Sequence, residues 1–471
     1  MSGPGVAVFD LSHPRRVHVV GAGGPGMSAI AIVLAEMGHR VSASDQRETP
    51  VLERVRAAGV EVFVGHRVEA VRGCDAVTWS PAVPAHNVER VAAETSGIDL
   101  LDRAAMLAAI CARARSVGVA GTHGKTTTSS LVRAMLDAGG GMGATSFLIG
   151  GDLLDLGTGA RWSGSEFFVV EADESDGTHV RLPLAAGIVT NIDVDHLDHF
   201  GTFDAVVESF VDFLGGLGAP RVVNLDDPVS ASLLARLPAV GTVTYGSDPR
   251  ADWRWSSVEA VGARTRFQLR APDGVVREVD LPLRGEHNVS NCSGAVALAV
   301  GLGVAPERAI SAAESFGGVG RRFEVVGVDR GATFVDDYAH LPGEIAAVLR
   351  AARSSGEWNR VVAVFQPNRF HRIAAMAHEY GGCFVDADEV VVMDVYASGT
   401  ERIEGVTGEL VADAVRAADP HRTVRFVADR AEVIERLARE VGPGTLCISM
   451  GCGDVEHLPA EILAARRRSA S

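Results

Sequence analysis

An apolar strand that runs into a glycine turn and then a helix occurs twice in this chain, and that pattern restricts it to α/β folds built on parallel sheets. Arg16-Val-His-Val-Val20 leads into Gly21-Ala-Gly-Gly-Pro-Gly26, a helix from Met27 to Met37, and a second strand, Arg40-Val-Ser-Ala-Ser44, that ends at Asp45. Ser116-Val-Gly-Val-Ala120 leads into Gly121-Thr-His-Gly-Lys-Thr126 and a helix from Thr126. Parallel neighbours need a long crossover, and a helix supplies it. After Arg321-Arg322-Phe323 the pattern restarts with a strand before Asp336, a helix over 342–353, and strands at 360–365, 389–393 and 445–449.

A length of 471 residues accommodates two to four domains, and three wound α/β units account for it. Strand-like runs at 60–64 and 75–79 and helical stretches at 87–95 and 102–114 complete the first unit. The second carries strands at 166–171, 186–190 and 220–224, a helix over 203–214, a β-rich patch at 242–281 and a closing helix near 289–301. Gly317-Gly-Val-Gly320 reads as a hinge. The expected domains are 1–114, 115–317 and 318–471.

A formal charge of -16 disfavours sequence-independent nucleic-acid binding, which needs clustered cations. Apolar runs fall short of a membrane span, and MSGPGVAVFDLSHPRR has no export-signal pattern, so a cytoplasmic protein is expected. The six cysteines, Cys74, Cys111, Cys292, Cys383, Cys447 and Cys452, show no CxxC pair or zinc spacing, which suits a reducing compartment.

Of the 44 basic residues only Lys125 is lysine. Arginine has replaced lysine wherever it would serve, so Lys125 answers a need for a compact ammonium that a guanidinium fork cannot meet, unless it survives by chance. It lies in GTHGKT, between a strand and a helix, where backbone N–H groups and the ammonium would wrap nucleotide phosphates while a hydroxyl approaches magnesium. The spacing is two residues shorter than the usual P-loop; the alternative is a glycine-rich turn with an idle lysine.

GAGGPG with Asp45 on the next strand suits a dinucleotide or a UDP-sugar, or is a tight turn required by packing. Glu171, at the end of the strand Glu166–Glu171, could hold magnesium beside the phosphate loop; a solvated acidic loop over 171–176 is the alternative. Thr190-Asn-Ile-Asp-Val-Asp-His196 delivers polar residues from another strand, with His196 either a ligand or a cap. Asn288 and Asn291 open an alanine-rich helix and could reach a base edge or cap it. Asp337 and His340 follow a strand where ligands gather. Arg369 and Arg372, three apart, can face one anion or form surface ion pairs.

In order and spacing, GAGGPGMSAIA at 21–31, GTHGKTTT at 121–128, EADESDG at 171–177, TNIDVDHLD at 190–198, HNVSN at 287–291, GRRFE at 320–324, DDYAH at 336–340 and MGCGD at 450–454 resemble the Mur ligases, the ATP-dependent amide ligases of peptidoglycan assembly. The resemblance covers nearly the whole chain. It implies a Rossmann-like N-terminal domain, a central P-loop ATPase domain and a Rossmann-like C-terminal domain. EADESD and GGPGMS are most similar to the branch that joins L-alanine to UDP-N-acetylmuramate in the first peptide-forming step. Later-step ligases that carbamylate a downstream lysine have no counterpart here, because no such lysine exists.

The resemblance further implies ATP and Mg2+ as cofactors, UDP-N-acetylmuramate and a small amino acid as partners, no nucleic acid or membrane partner, and a monomer or weak homodimer. It assigns Lys125 and His340 to catalysis. ATP would meet Gly121, Thr122, His123, Gly124, Lys125, Thr126, Thr127, Asn288, Asn291, Arg322 and Asp337. The UDP-sugar would meet Gly21, Gly23, Gly24, Gly26, Met27, Ser28, Asp45 and Ser80. His340, Arg369 and Arg372 would take the amino acid or an anion, and Thr126, Glu171 and His196 the metal. Leu341, Asn368 and Thr400 depart from the family pattern near the amino-acid site, which leaves open glycine or L-serine as substrate, or a catalytically weakened regulator that binds UDP-sugar and ATP. A dehydrogenase, allowed by the first glycine turn alone, leaves GTHGKT unexplained.

Overall fold

Val17, Val19 and Val20 are all buried although successive side chains point to opposite faces of a strand, as happens where a parallel sheet is covered on both sides. The computed structural model describes residues 8–140 and 144–468; the first seven residues, part of the stretch read above for an export signal, lie outside them. Three sheets are present. The first comprises β1 (Arg16–Val20), β2 (Arg40–Asp45), β3 (Glu61–Val64), β4 (Ala76–Trp79) and β5 (Asp99–Asp102) in the parallel order β3-β2-β1-β4-β5. The strand order reverses at β1, so the turn after it opens into the crevice where such sheets bind ligands.

The second sheet comprises β6 (Arg115–Ala120), β7 (Ser146–Leu153), β8 (Thr158–Arg161), β9 (Phe167–Glu171), β10 (Ala186–Val189), β11 (Arg221–Asn224), β12 (Thr242–Gly246), β13 (Trp253–Val261), β14 (Arg264–Arg270) and β15 (Val276–Leu281). Here β6 lies between β9 and β10, with Val119 opposite Glu171 and Ala120 opposite Val189. That register brings the ends of three strands to one edge.

The third sheet comprises β16 (Glu324–Asp329), β17 (Ala332–Asp337), β18 (Arg360–Phe365), β19 (Glu389–Val392), β20 (Thr423–Phe426) and β21 (Thr445–Met450), in the order β16-β17-β21-β18-β19-β20. Asp337 and Phe365 both lie opposite Met450, so the loops after β17, β18 and β21 share an edge. Asp337 therefore ends the second strand of this sheet, and not the first as its sequence position suggests; β16 runs antiparallel at the margin, and its exposed valines Val325, Val326 and Val328 hide it from a burial-based reading. Nor does the helix near 289–301 close the preceding region: it spans Glu286–Gly301 and the helix Pro306–Glu314 follows, started by a proline at its first turn.

The chain divides into two compact units, one running to Ser256 with Gln268–Val279 and Ser290–Gly317, the other holding Ser257–Phe267, Asp280–Val289 and Gly318 onward. The whole first sheet and β6–β12 fall in the first unit, where one apolar cluster runs from Val17 and Ile30 to Leu148 and Phe168. Among the described residues no helix is long and apolar enough to cross a membrane.

Candidate active site

In the first unit, Gly21 adopts a left-handed φ of +84°, and its backbone N–H donates to the Ser44 carbonyl at 2.8 Å. Ser80 closes the other side, its Cβ 3.1 Å from where a Gly21 side chain would start. The Asp45 carboxylate accepts from Gly23 N–H at 2.8 Å, and a Cβ on Gly23 would collide with it at 2.7 Å. Gly24 caps the helix Pro25–Glu36. Gly21, Gly23, Gly24 and Gly26 thus form a turn at a helix N-terminus, with Asp45 from the end of β2 and Ser80 from the end of β4 packed against it. Met27 faces the core instead, and the Ser28 hydroxyl donates to the Pro25 carbonyl at 2.9 Å.

The second turn is more tightly built. Gly121 has φ +130° and Gly124 φ +82°, and the helix begins at Lys125, one residue earlier than its sequence suggests. Segments after β10 fix the loop: Thr122 N–H donates to the Asn191 carbonyl at 3.0 Å, His123 N–H to Asn191 Oδ1 at 2.9 Å, and Thr190 Oγ1 donates to the His123 carbonyl at 2.6 Å. Thr126 and Thr127 are buried in the first helical turn, and Asn291 lies against Gly124.

Lys125 Nζ donates to both Glu174 carboxylate oxygens, at 2.7 and 2.9 Å, and to the carbonyls of Gly121 at 2.6 Å and Thr122 at 3.4 Å. The Glu174 side chain is 2% exposed and that of Lys125 16%. Burial works against the Lys125 charge, but Glu174, Asp173 and Glu171 outweigh it and hold the ammonium above its ordinary pKa. Burial likewise pushes Asp173 up, yet Lys125 and Arg103 bring it to about 2. Glu174 is the residue that sequence reasoning missed: of the EADESD run it singles out only Glu171, although a buried ammonium requires a buried counter-charge close by.

Glu171 ends β9 and accepts from Gly150 N–H at 2.8 Å. A Cβ on Gly150 would lie 2.9 Å from Glu171 Oε2, so the glycine keeps space around this carboxylate. His196, with φ +56°, places Nε2 3.3 Å from Asp195 and 3.8 Å from Glu174. Among the described residues no three His, Cys, Asp or Glu side chains form a metal cluster. Magnesium keeps several waters and takes one or two carboxylates with substrate phosphates. The Glu171 carboxylate and Thr126 hydroxyl are hard oxygen donors of the right kind.

In the second unit Asp337 accepts from Phe323 N–H at 2.7 Å and Ala339 N–H at 2.8 Å. Arg321 and Arg322 both lie over the Tyr338 ring, 4.9 and 5.1 Å from its centre. Arg321 also pairs with Asp336 at 2.9 Å and Glu456 at 2.8 Å. His340 Nδ1 is 3.2 Å from both the Tyr338 carbonyl and Glu344. Asn288 donates to the Arg284 carbonyl at 2.8 Å. Arg372 donates to Asn368 at 3.1 Å, and Arg369 holds a left-handed φ of +61°. Burial pushes the Cys452 thiol up while Arg372, Arg369 and Arg321 pull against it, so three guanidinium charges act on one spot. Two of the departures have structural work: Asn368 orients Arg372, and Thr400 Oγ1 accepts from Phe370 N–H at 3.1 Å. Leu341 is buried.

Burial raises Asp337 to about 6 against the pull of Arg322 and its two backbone donors. Folded Asp337 keeps its proton to about pH 6, whereas an unfolded aspartate loses it near 3.8. The folded state binds more protons across that window, so this group adds stability as pH falls through 6 and loses it as pH rises. Denaturant titrations should show wild type gaining more than about 1 kcal/mol on Asp337→Asn between pH 7 and pH 4; a difference that stays flat would contradict the assignment.

Three family models match consecutive stretches: the Mur ligase family catalytic domain at 16–115, the Mur ligase middle domain at 119–299, and the Mur ligase glutamate ligase domain at 321–453. The UDP-N-acetylmuramate--L-alanine ligase of Rhizobium meliloti is 41% identical over 458 residues, spanning 95% of this chain and 96% of the relative. The enzyme of the same name from Bradyrhizobium sp. is 42% identical over 470 residues, spanning 96% and 99%. The crystal structure of UDP-N-acetylmuramate-alanine ligase from Thermotoga maritima matches with a TM-score of 0.81 at 27% identity, covering 97% of this chain and all of that one. With its order of turns, strands and matched domains, the chain belongs to the Mur ligase family.

Proposed function

We propose that this chain is an ATP-dependent amide ligase that joins L-alanine to the carboxylate of UDP-N-acetylmuramate, the first peptide-forming step of peptidoglycan precursor synthesis. The carrying observation is the single lysine, held by Glu174 inside a glycine loop at the end of β6, in a chain about 40% identical to enzymes of that name. The proposed domains are 1–114 for the UDP-sugar, 115–317 for ATP and 318–471 for the amino acid. The protein is cytoplasmic, a monomer or weak homodimer, without nucleic-acid or membrane partners.

A carboxylate resists attack because its charge repels a nucleophile and oxide leaves poorly. Transfer of the γ-phosphoryl group of ATP gives an acyl phosphate; the neutral amine attacks its carbonyl, and phosphate leaves from the tetrahedral intermediate. Lys125 screens the phosphoryl oxygens as charge shifts toward the β-phosphate, and the loop Gly121 to Thr127, which leads into the helix Lys125–Ala138, wraps the chain of phosphates. Thr126, Glu171 and His196 would hold magnesium, which would supply further positive charge to the phosphoryl group. Asn288, Asn291, Arg322 and Asp337 contact ATP. Arg369 and Arg372 pair with a carboxylate or phosphate, and His340 takes the ammonium proton or orients the amine.

The test is ADP and phosphate release with UDP-N-acetylmuramate and with alanine, glycine and serine in competition. Release that requires both the sugar nucleotide and alanine is expected. Binding of UDP-sugar and ATP without amino-acid-dependent turnover would favour a regulator instead, a reading motivated by Leu341, Asn368 and Thr400.

A further inference from the structure

Within the first unit, Arg103 stands at the start of the helix Arg103–Cys111, and its guanidinium reaches two functional segments. Nη2 donates to Asp176 at 2.8 Å and to Asp173 at 3.3 Å, both in the acidic stretch after β9. Nη1 lies 3.4 Å from where a side chain on Gly26 would begin, so the last glycine of the first turn is the floor on which this guanidinium rests. Asp173 immediately precedes Glu174, whose carboxylate accepts from Lys125 Nζ at 2.7 and 2.9 Å. A line of contacts thus runs from the turn at 21–26 through Arg103 to the segment Asp173–Asp176, which also holds the Glu174 carboxylate against the ammonium at the phosphate loop.

The residue before it provides a comparison. Asp102 pairs with Arg181 at 2.7 and 3.0 Å, tying the same helix start to the turn Thr178–Arg181 that follows the acidic segment. That tie is more exposed, with side chains 45% and 42% accessible against 23% for Arg103, and it touches neither glycine turn. If Arg103 served only to dock two layers, the two ties would be interchangeable.

We propose that Arg103 is a positioning residue for the ligation: it fixes the sugar-nucleotide turn relative to the phosphate loop so that the acceptor carboxylate meets the γ-phosphoryl group in line. The proposal rests on the reading of the chain as an amide ligase. A displacement of about 1 Å at a reacting centre costs about a hundredfold in rate, and Arg103 has rigid partners on both sides.

Arg103→Ala, Arg103→Lys, Asp176→Asn and Arg181→Ala are compared in the full chain by ADP release, with each substrate varied in turn and the unfolding midpoint measured. Arg103→Ala should lose about a hundredfold in kcat with KM for ATP within threefold of wild type, and Arg103→Lys, which retains the charge without the fork, should recover about tenfold of that. Asp176→Asn, which leaves Arg103 in place, should lower kcat in the same direction if Arg103→Ala proves too unstable to assay. Arg181→Ala should stay within threefold of wild type. Equal losses in Arg103→Ala and Arg181→Ala, or a fall in ATP affinity that matches the fall in kcat, would overturn the positioning role and leave a structural tie. Wild-type protein that releases no ADP with UDP-N-acetylmuramate and L-alanine would instead overturn the ligase reading on which the proposal stands.

Discussion

Lys125→Met should abolish measurable ADP release, a loss of at least about a hundredfold to a thousandfold by comparison with removal of one transition-state donor elsewhere. It should also destabilise the protein by about 3–5 kcal/mol, because Glu174 then remains as a buried carboxylate without its partner. These effects separate in the double variant Lys125→Met with Glu174→Gln: stability should largely return, since no buried charge is left uncompensated, while turnover should not. Lys125→Arg should behave like Lys125→Met within about tenfold. The ammonium donates in separate directions to Glu174, to the Gly121 carbonyl and toward the Thr122 carbonyl, and a planar fork on a longer arm cannot match them. Arginine at 125 with near wild-type turnover would mean that charge alone suffices, and the scarcity of lysine would lose its meaning.

Gly121→Ala is the second large effect. The new Cβ would stand 2.1 Å from Thr190 Oγ1, 2.9 Å from the Asn191 carbonyl oxygen and 3.0 Å from Thr190 N, at a φ of +130°. Thr190 cannot simply turn away, because its hydroxyl donates to the His123 carbonyl, and the other two neighbours are backbone. Strain and overpacking of this kind each cost about 1–3 kcal/mol, and relief must come from the loop itself. Nucleotide should therefore cease to raise the unfolding midpoint. Gly124→Ala makes an informative partner: its Cβ meets the end of a flexible side chain, Asn291, at 2.5 Å, so it should retain weakened nucleotide protection. A Gly121→Ala protein protected by ATP as well as wild type would remove the loop from the binding site.

Strand, turn and helix around both glycine loops were legible because apolar strands buried on two faces and glycines at left-handed φ leave strong local marks. The antiparallel strands β8 and β16 were not, since short or exposed margins of a sheet carry no such signal. The partner of Lys125 was hidden for a different reason. Glu171, Asp173, Glu174 and Asp176 look alike in sequence, and only the path of the loop after β9 encloses Glu174 while the others keep some access to solvent. The first sheet and β6–β12, which share one unit, are likewise joined by pairs remote in sequence, such as Arg103 with Asp176 and Arg181 with Asp102.

The enclosed Lys125 also makes the chain unusual toward reagents that acylate amines. Only one side chain in the sequence carries a primary amine, and it is clasped by a carboxylate and two carbonyl oxygens. Side-chain acylation by such a reagent therefore reports the opening of a single loop, without the background of surface lysines that obscures the same chemistry in most proteins.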